Sequence, residues 1–328
     1  MATAAEPRPA ELPLPGGRPG AAVRLHPLLA GRAVAPPAYL LREPGRLAGI
    51  RALGLGVSRD DWVPIPIVAF LLEHPGAGQL LIDTGLHPSV AVSPAENFGR
   101  VGARAFRDLQ MEAAQALPAQ LRERGIDPAR VGTVVMTHLH VDHASGISQL
   151  PEATFVVSRA EWEAATSQGQ LHGYMTRQFD HAFDYRLLDF EGDTIRSHPA
   201  EPGARGDTIR SHPAEPGARG QAPQSFSGFA RSFDLFGDGS VRAVYTPGHT
   251  LGHMSVVVRT AGGEVLVAGD AVYSRRALDE SHLPHRTEDE HLYRRSLREM
   301  QQYLRETPDA VVIPGHDWEE WQKLEAAY

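Results

Sequence analysis

The sequence predicts an α+β fold in which two β-sheets are sandwiched by outer helices. Two observations carry the prediction. Short apolar runs with strand character recur along the chain, with helical patterns interspersed through both halves. Several of the later runs are joined directly by tight turns such as Gly237-Asp238-Gly239, a hairpin signal that argues against a single parallel wound sheet.

Taken in order, residues 1–20 hold five prolines and three glycines. Such a stretch is expected to form an extended or disordered arm, placed at 1–22, ahead of one domain at 23–328. Ile65–Leu72 and Gln79–Ile82 read as buried strands flanking a turn at residues 74–78, and Asp83 stops the second. Ala103 to Arg124 has helical periodicity, with Phe106, Leu109, Ala113, Leu117 and Leu121 near one face. Pro118 inside it predicts a kink or two short helices. Asp127 can cap a short helix leading into strand Thr133–Thr137. Thr154–Val157 is the next strand, and Ser158 can cap a helix through Ala165.

Residues 192–205 read GDTIRSHPAEPGAR, and residues 206–219 repeat them unchanged. Two polar, Pro- and Gly-rich copies cannot stack into a repeat architecture. They are expected to be an inserted surface loop whose His198 and His212 face solvent.

After the insertion come strands Arg231–Phe236, Val241–Tyr245, Met254–Arg259 and Glu264–Ala268. A Thr287/Glu290 capping box is expected to open a helix running to Arg305. Ala310–Ile313 is the last strand, and Asp317 opens a final helix.

Composition narrows the function. The chain has 328 residues with 32 Lys plus Arg against 40 Asp plus Glu, a net charge of −8, so no nucleic-acid partner is expected. The longest apolar run, Trp62 to Leu72, falls short of a membrane span, and no apolar leader segment opens the chain. A cytoplasmic protein without a membrane partner is the expectation. With 16 histidines and no cysteine, the chain has no thiol nucleophile and no thiolate metal site, so any metal must be held by imidazole and carboxylate.

The strongest local feature is Thr137-His138-Leu139-His140-Val141-Asp142-His143, which leaves the end of a strand. Histidines two apart point the same way in extended chain, and the following Asp and His can supply a second set of donors from a tight turn. Such donors suit Zn, Fe, Mn or Co. His249, Asp270 and His316 each follow an apolar strand at a turn-forming or small residue, a placement that converging ligands would produce.

This set of residues resembles the metallo-β-lactamase superfamily, over about Ile65 to Asp317. The resemblance implies a four-layer αββα sandwich with a dinuclear centre at one sheet edge. It also implies that His138, His140 and His249 hold one divalent ion, that Asp142, His143 and His316 hold the other, and that Asp270 bridges them with a hydroxide. Zinc is the first candidate. Asp83 also fits the superfamily's habit of an Asp after an early strand; it reads equally as a turn residue or as a partner that orients a ligand imidazole. His253, four residues after His249, reads as the start of a strand in preference to a partner that orients a ligand.

Within the superfamily, Tyr273, three residues after Asp270, resembles the N-acyl homoserine lactone hydrolases, the quorum-quenching lactonases. That resemblance implies that hydroxide attacks the lactone carbonyl while the Tyr273 phenol donates to substrate oxygen and Asp142 passes a proton to the leaving alkoxide. The expected partner is a small ester or lactone. The alternatives are a phosphodiesterase, thioesterase or generic esterase of the same fold, and a metal-binding protein with little turnover. Trp62–Leu72 and Phe106 could line an acyl pocket, although core packing is the simpler reading. Arg275 and Arg276 read as a solvated pair.

Overall fold

A computed structural model describes residues 4–169, 172–191 and 221–328. The duplicated segment 192–219, with His198 and His212, lies outside the described residues.

The strands are β1 (Arg8–Pro9), β2 (Arg24–Ala35), β3 (Val63–His74), β4 (Gly78–Ile82), β5 (Thr133–Val135), β6 (Thr154–Ser158), β7 (Asp184–Leu188), β8 (Gln224–Phe226), β9 (Phe229–Asp234), β10 (Val241–Tyr245), β11 (Met254–Thr260), β12 (Gly263–Gly269) and β13 (Val311–Pro314). They form two sheets, ordered β1-β7-β6-β5-β4-β3-β2 and β13-β12-β11-β10-β9-β8.

Alternation along the strands builds the layers. In β4, Leu80 and Ile82 point inward with Phe70 of β3, meeting Val256, Val267 and Ile313 of the other sheet. Leu81 between them points outward with Leu71, against Leu117 and Leu121 of the helix Leu117–Glu123. The second sheet repeats the pattern: Val244, Val257 and Leu266 turn outward onto Tyr293, Leu297 and Met300 of the helix Glu290–Glu306. Two inner faces share one core and each outer face carries helices, the αββα order.

Strand direction gathers the loops of interest. β4 and β5 are parallel. β10 and β12 are both antiparallel to β11, and β13 is parallel to β12, so these three share one sense. The segments leaving β4 and β5 therefore emerge together from one sheet, and those leaving β10, β12 and β13 emerge together from the other.

Three expectations need correction. The N-terminal stretch does pack into the core: Ala10 and Leu14 join the cluster between the sheets. Ala10 N–H donates to Leu187 O at 2.9 Å and Leu14 N–H to Leu235 O at 2.7 Å, so the segment touches both sheets. Pro9 is tolerated because it lies on an edge strand, where its missing donor is not needed. At 103–124 the two-helix alternative holds, with helices Pro94–Ala105 and Leu117–Glu123, but the break lies ahead of Pro118 and leaves Phe106, Leu109 and Ala113 outside both. Pro118 stands in the first turn of the second, where its missing N–H breaks no helical bond. The late helix begins at Glu290, not Thr287, capped by Asp289, which accepts from Leu292 N–H at 2.8 Å. Asp127, Ser158 and Asp317 cap as expected. Among the described residues no helix is long and apolar enough to cross a membrane.

Candidate metal centre

Every donor singled out in the sequence stands just past a strand end. His138, His140, Asp142 and His143 follow β5, the last two on the short helix Val141–Ala144. His249 follows β10, Asp270 follows β12 and His316 follows β13. All seven meet at one rim. Donor atoms of His138, His140 and His249 lie within 4.8 Å of one another, as do those of Asp142, His143 and His316. Asp270 lies between the two trios: its Oδ2 is 3.3 Å from His249 Nε2 and 3.2 Å from His316 Nε2, and its Oδ1 is 3.3 Å from His143 Nε2.

Backbone constraints put these side chains there. Gly269 has φ +55, and a Cβ on it would come within 2.8 Å of His253 Nε2, so only glycine lets the chain turn sharply into Asp270. Gly248, ahead of His249, has φ +132 and lies against Tyr293, where a Cβ would meet the backbone N at 2.2 Å. The turns after β12 and β13 are joined by Gly315 N–H to Val272 O at 3.1 Å and His316 N–H to Tyr273 O at 3.0 Å.

The imidazoles are oriented from behind. Asp83 Oδ2 is 2.8 Å from His143 Nδ1, and the same carboxylate accepts from Thr137 N–H and Thr137 Oγ1–H, each at 2.7 Å. Asp83 is therefore both the strand-end residue and a partner of a donor ring. His316 Nδ1 faces Pro66 O at 3.1 Å, which directs its Nε2 toward the cluster. His253 corrects its reading as a plain strand start. Its Nε2 accepts from Asp270 N–H at 3.0 Å and its Nδ1 meets Thr246 Oγ1 at 2.9 Å, so a buried ring supports the backbone of Asp270. The partner lies 17 residues away, beyond the reach of local patterning.

Do these residues fit a metal? His138 Nε2, His143 Nε2 and Asp270 Oδ1 are buried without a hydrogen bond. Orphaned polar atoms cost free energy unless something polar or charged lies between them. Burial holds His138 and His249 well below the usual imidazole range and brings His140 to about 4, so these rings keep their lone pairs free at neutral pH. Burial also opposes charge on His143 and His316, but carboxylates outweigh it and raise both: mainly Asp142 and Asp83 for His143, and Asp270 for His316. The second half of the cluster thus calls for positive charge. Lone pairs and unneutralised carboxylates, with no thiol, are a donor set for hard or borderline divalent ions.

Tyr273 stands at the same rim. Its hydroxyl is 3.3 Å from His249 Nδ1, and burial, with Tyr39 and Asp270 nearby, pushes its pKa well above 10. Tyr39, which sequence reasoning missed, stacks on Tyr273 with ring centroids 6.1 Å apart. In front of the donors opens a cavity of about 360 Å³, bordered by Asp142 and both tyrosines and, on its apolar side, by Leu53, Trp62, Ile65 and Phe106. Trp62 and Phe106 thus reach the cavity, whereas Val68, Phe70 and Leu72 are core. Arg275 and Arg276 pair with Asp279 and Glu280 on their own helix.

Residues 62–316 of this sequence match the family described as the metallo-beta-lactamase superfamily. The chain belongs to that superfamily. The N-acyl homoserine lactonase AttM of Azorhizobium caulinodans is 30% identical to it over 293 residues, 88% of this chain and 96% of that one. AttM of Rhizobium radiobacter is 29% identical over 276 residues, 83% and 89% of the two chains. A solved quorum-quenching N-acyl homoserine lactone lactonase superposes with a TM-score of 0.64 at 19% identity, over 96% of this chain and 98% of that one, a likeness of fold alone. As a metallo-β-lactamase superfamily member with relatives named as lactonases, the chain is a metal-dependent hydrolase.

Proposed function

We propose that the protein opens lactone rings of the N-acyl homoserine lactone kind with two divalent ions, zinc being the first candidate. The observation that carries this reading is Asp270, placed between two donor trios while Tyr273, three residues on, faces the cavity beside them. His138, His140 and His249 would hold one ion, Asp142, His143 and His316 the other, with Asp270 shared. Such a pair of ions supplies Lewis acidity toward the ester oxygen and makes hydroxide available from water near neutral pH.

The chain's own groups do the rest. With an ion held at His249 Nε2, the ring proton would sit on Nδ1, 3.3 Å from the Tyr273 oxygen, so the phenol would accept there and could donate its own proton toward the cavity. A phenol held neutral by burial donates to a carbonyl oxygen as negative charge gathers there. Asp142, bordering the cavity, can take a proton from the attacking water and hand it to the alkoxide freed when the ring opens. Leu53, Trp62, Ile65 and Phe106 give an acyl chain an apolar surface to exclude water against.

The test is a panel of acyl homoserine lactones, simple lactones, phosphodiesters and thioesters, with kcat/KM measured for each. Lactone opening should be fastest. A phosphodiester or thioester preferred by more than about tenfold would replace this reading with the phosphodiesterase or thioesterase alternative. Full metal loading with no turnover on any member would favour a metal-binding role.

A further inference from the structure

Glu161 is completely buried in the helix Arg159–Gln168, away from the donor set. Ser158 and Glu161 have the spacing of a capping box, in which the glutamate would fold back onto the Ser158 N–H. Only half of that box forms: Ser158 Oγ accepts from Glu161 N–H at 3.4 Å. The carboxylate points elsewhere. Its Oε1 accepts from Leu139 N–H at 2.8 Å, and its Oε2 accepts from Thr250 Oγ1–H at 2.6 Å.

Those two donors belong to different sheets. Leu139 lies between His138 and His140, on the loop after β5. Thr250 follows His249, on the loop after β10. The second loop also rests on the helix itself, since a Cβ on Gly252 would come within 1.9 Å of the Glu161 backbone N. Burial pushes the Glu161 carboxyl up to about 7 against the pull of both hydrogen bonds, so the group is kept at a cost in stability. An ordinary helix cap does not require that cost.

We propose that Glu161 is a positioning residue, a two-armed clamp that fixes the distance between the His138–His140 loop and His249 and so sets the geometry of one metal site. The inference rests on the metal-centre reading above. Both arms reach groups adjacent in sequence to donors, so loss of the clamp should loosen that site without removing any ligand. Partners that orient metal ligands typically contribute about 10–100-fold in metal affinity.

The experiment compares wild type with Glu161→Ala, Glu161→Gln and Thr250→Val. Divalent-metal affinity is measured by competition with a chromophoric chelator, the visible spectrum of the Co(II) form is recorded, and thermal unfolding of the metal-free proteins is followed in parallel. Glu161→Ala should weaken one ion by about 10–100-fold and change the Co(II) bands, and Thr250→Val should weaken it by less. Glu161→Gln should recover most of the affinity and the spectrum, because an amide oxygen still accepts from Leu139 and its N–H₂ can donate to the Thr250 hydroxyl. If Glu161→Ala does not fold, the other two variants carry the same comparison. Unchanged affinity and spectrum in variants that differ only in unfolding temperature would overturn the clamp alone. A wild-type protein that takes up no divalent ion would overturn the metal-centre reading as well.

Discussion

His143 Nδ1 and Asp83 Oδ2 stand 2.8 Å apart, buried, and they decide which nitrogen of the ring is available. Because the carboxylate also takes two donors from Thr137, it is held as an acceptor, so Nδ1 carries the proton and Nε2 faces the donor cluster. Asp83 itself has φ +58, a conformation that aspartate and asparagine tolerate better than most residues.

The first prediction follows from that contact. Asp83→Ala should weaken binding of an ion held by His143 by about 10–100-fold, read by metal titration of the purified protein. Asp83→Asn, which suits the backbone and can still accept from Thr137, should lose less. Equal affinity in all three proteins would refute the orienting role.

Asp270 lies between the two candidate trios, and on the proposed reading it is shared by both. Asp270→Ala should reduce metal content from about two ions to one or none and abolish most turnover, as elemental analysis and a lactone assay would show together. Near-normal activity would refute the shared role.

Tyr273→Phe separates chemistry from metal binding. Removing one preoriented donor to a developing oxyanion should lower kcat by about 10²-fold while metal content stays at the wild-type level. The phenol's pKa lies well above 10, raised by burial first, so it stays protonated and donating throughout the neutral and mildly alkaline range. An alkaline fall in rate below pH 10 should therefore persist unchanged in Tyr273→Phe. A limb that vanishes in the variant would mean that the phenol ionises there.

The N-terminal segment should contribute to stability. Leu14→Ala should cost about 2 kcal/mol in chemical denaturation, because Leu14 packs in the core between the sheets. No measurable cost would mean that the segment is not docked in solution.

The docked segment also carries a pH dependence. Burial raises the nearby Asp184 carboxyl, but hydrogen bonds from Arg186, Arg8 and Thr154 outweigh it and hold the group below the usual carboxylate range. A depressed folded value stabilises above the ordinary carboxylate pKa and loses that contribution as pH falls through the folded one. Arg8→Ala should therefore destabilise slightly at neutral pH, with the difference fading in acid. The effect is small because Arg8 is largely exposed. A difference that grew in acid would contradict the assigned sign.

That the seven candidate donors converge could be read from the chain because metal chemistry admits few residue types and because each stands where an apolar strand stops. Four of them fall within six residues, His138 to His143, so their spacing is itself evidence. The layer order was legible for a similar reason, since alternation along each strand records which face meets the core. His253, Glu161, Tyr39 and the docking of Leu14 were not legible. Their partners lie 17 residues away for His253, 22 and 89 for Glu161, and across the sandwich for the other two.

What this sequence determined alone is its chemistry and its local punctuation: which side chains can bind a cation, and where strands end. Whether those ends meet was decided by the face-to-face packing of two sheets, which brings the rim of one onto the rim of the other. Burial then set the partners of the polar groups behind that rim, Asp83, His253 and Glu161 among them, and only the folded chain specifies which they are, because hydrogen bonds are chosen by distance in space and not by distance in sequence.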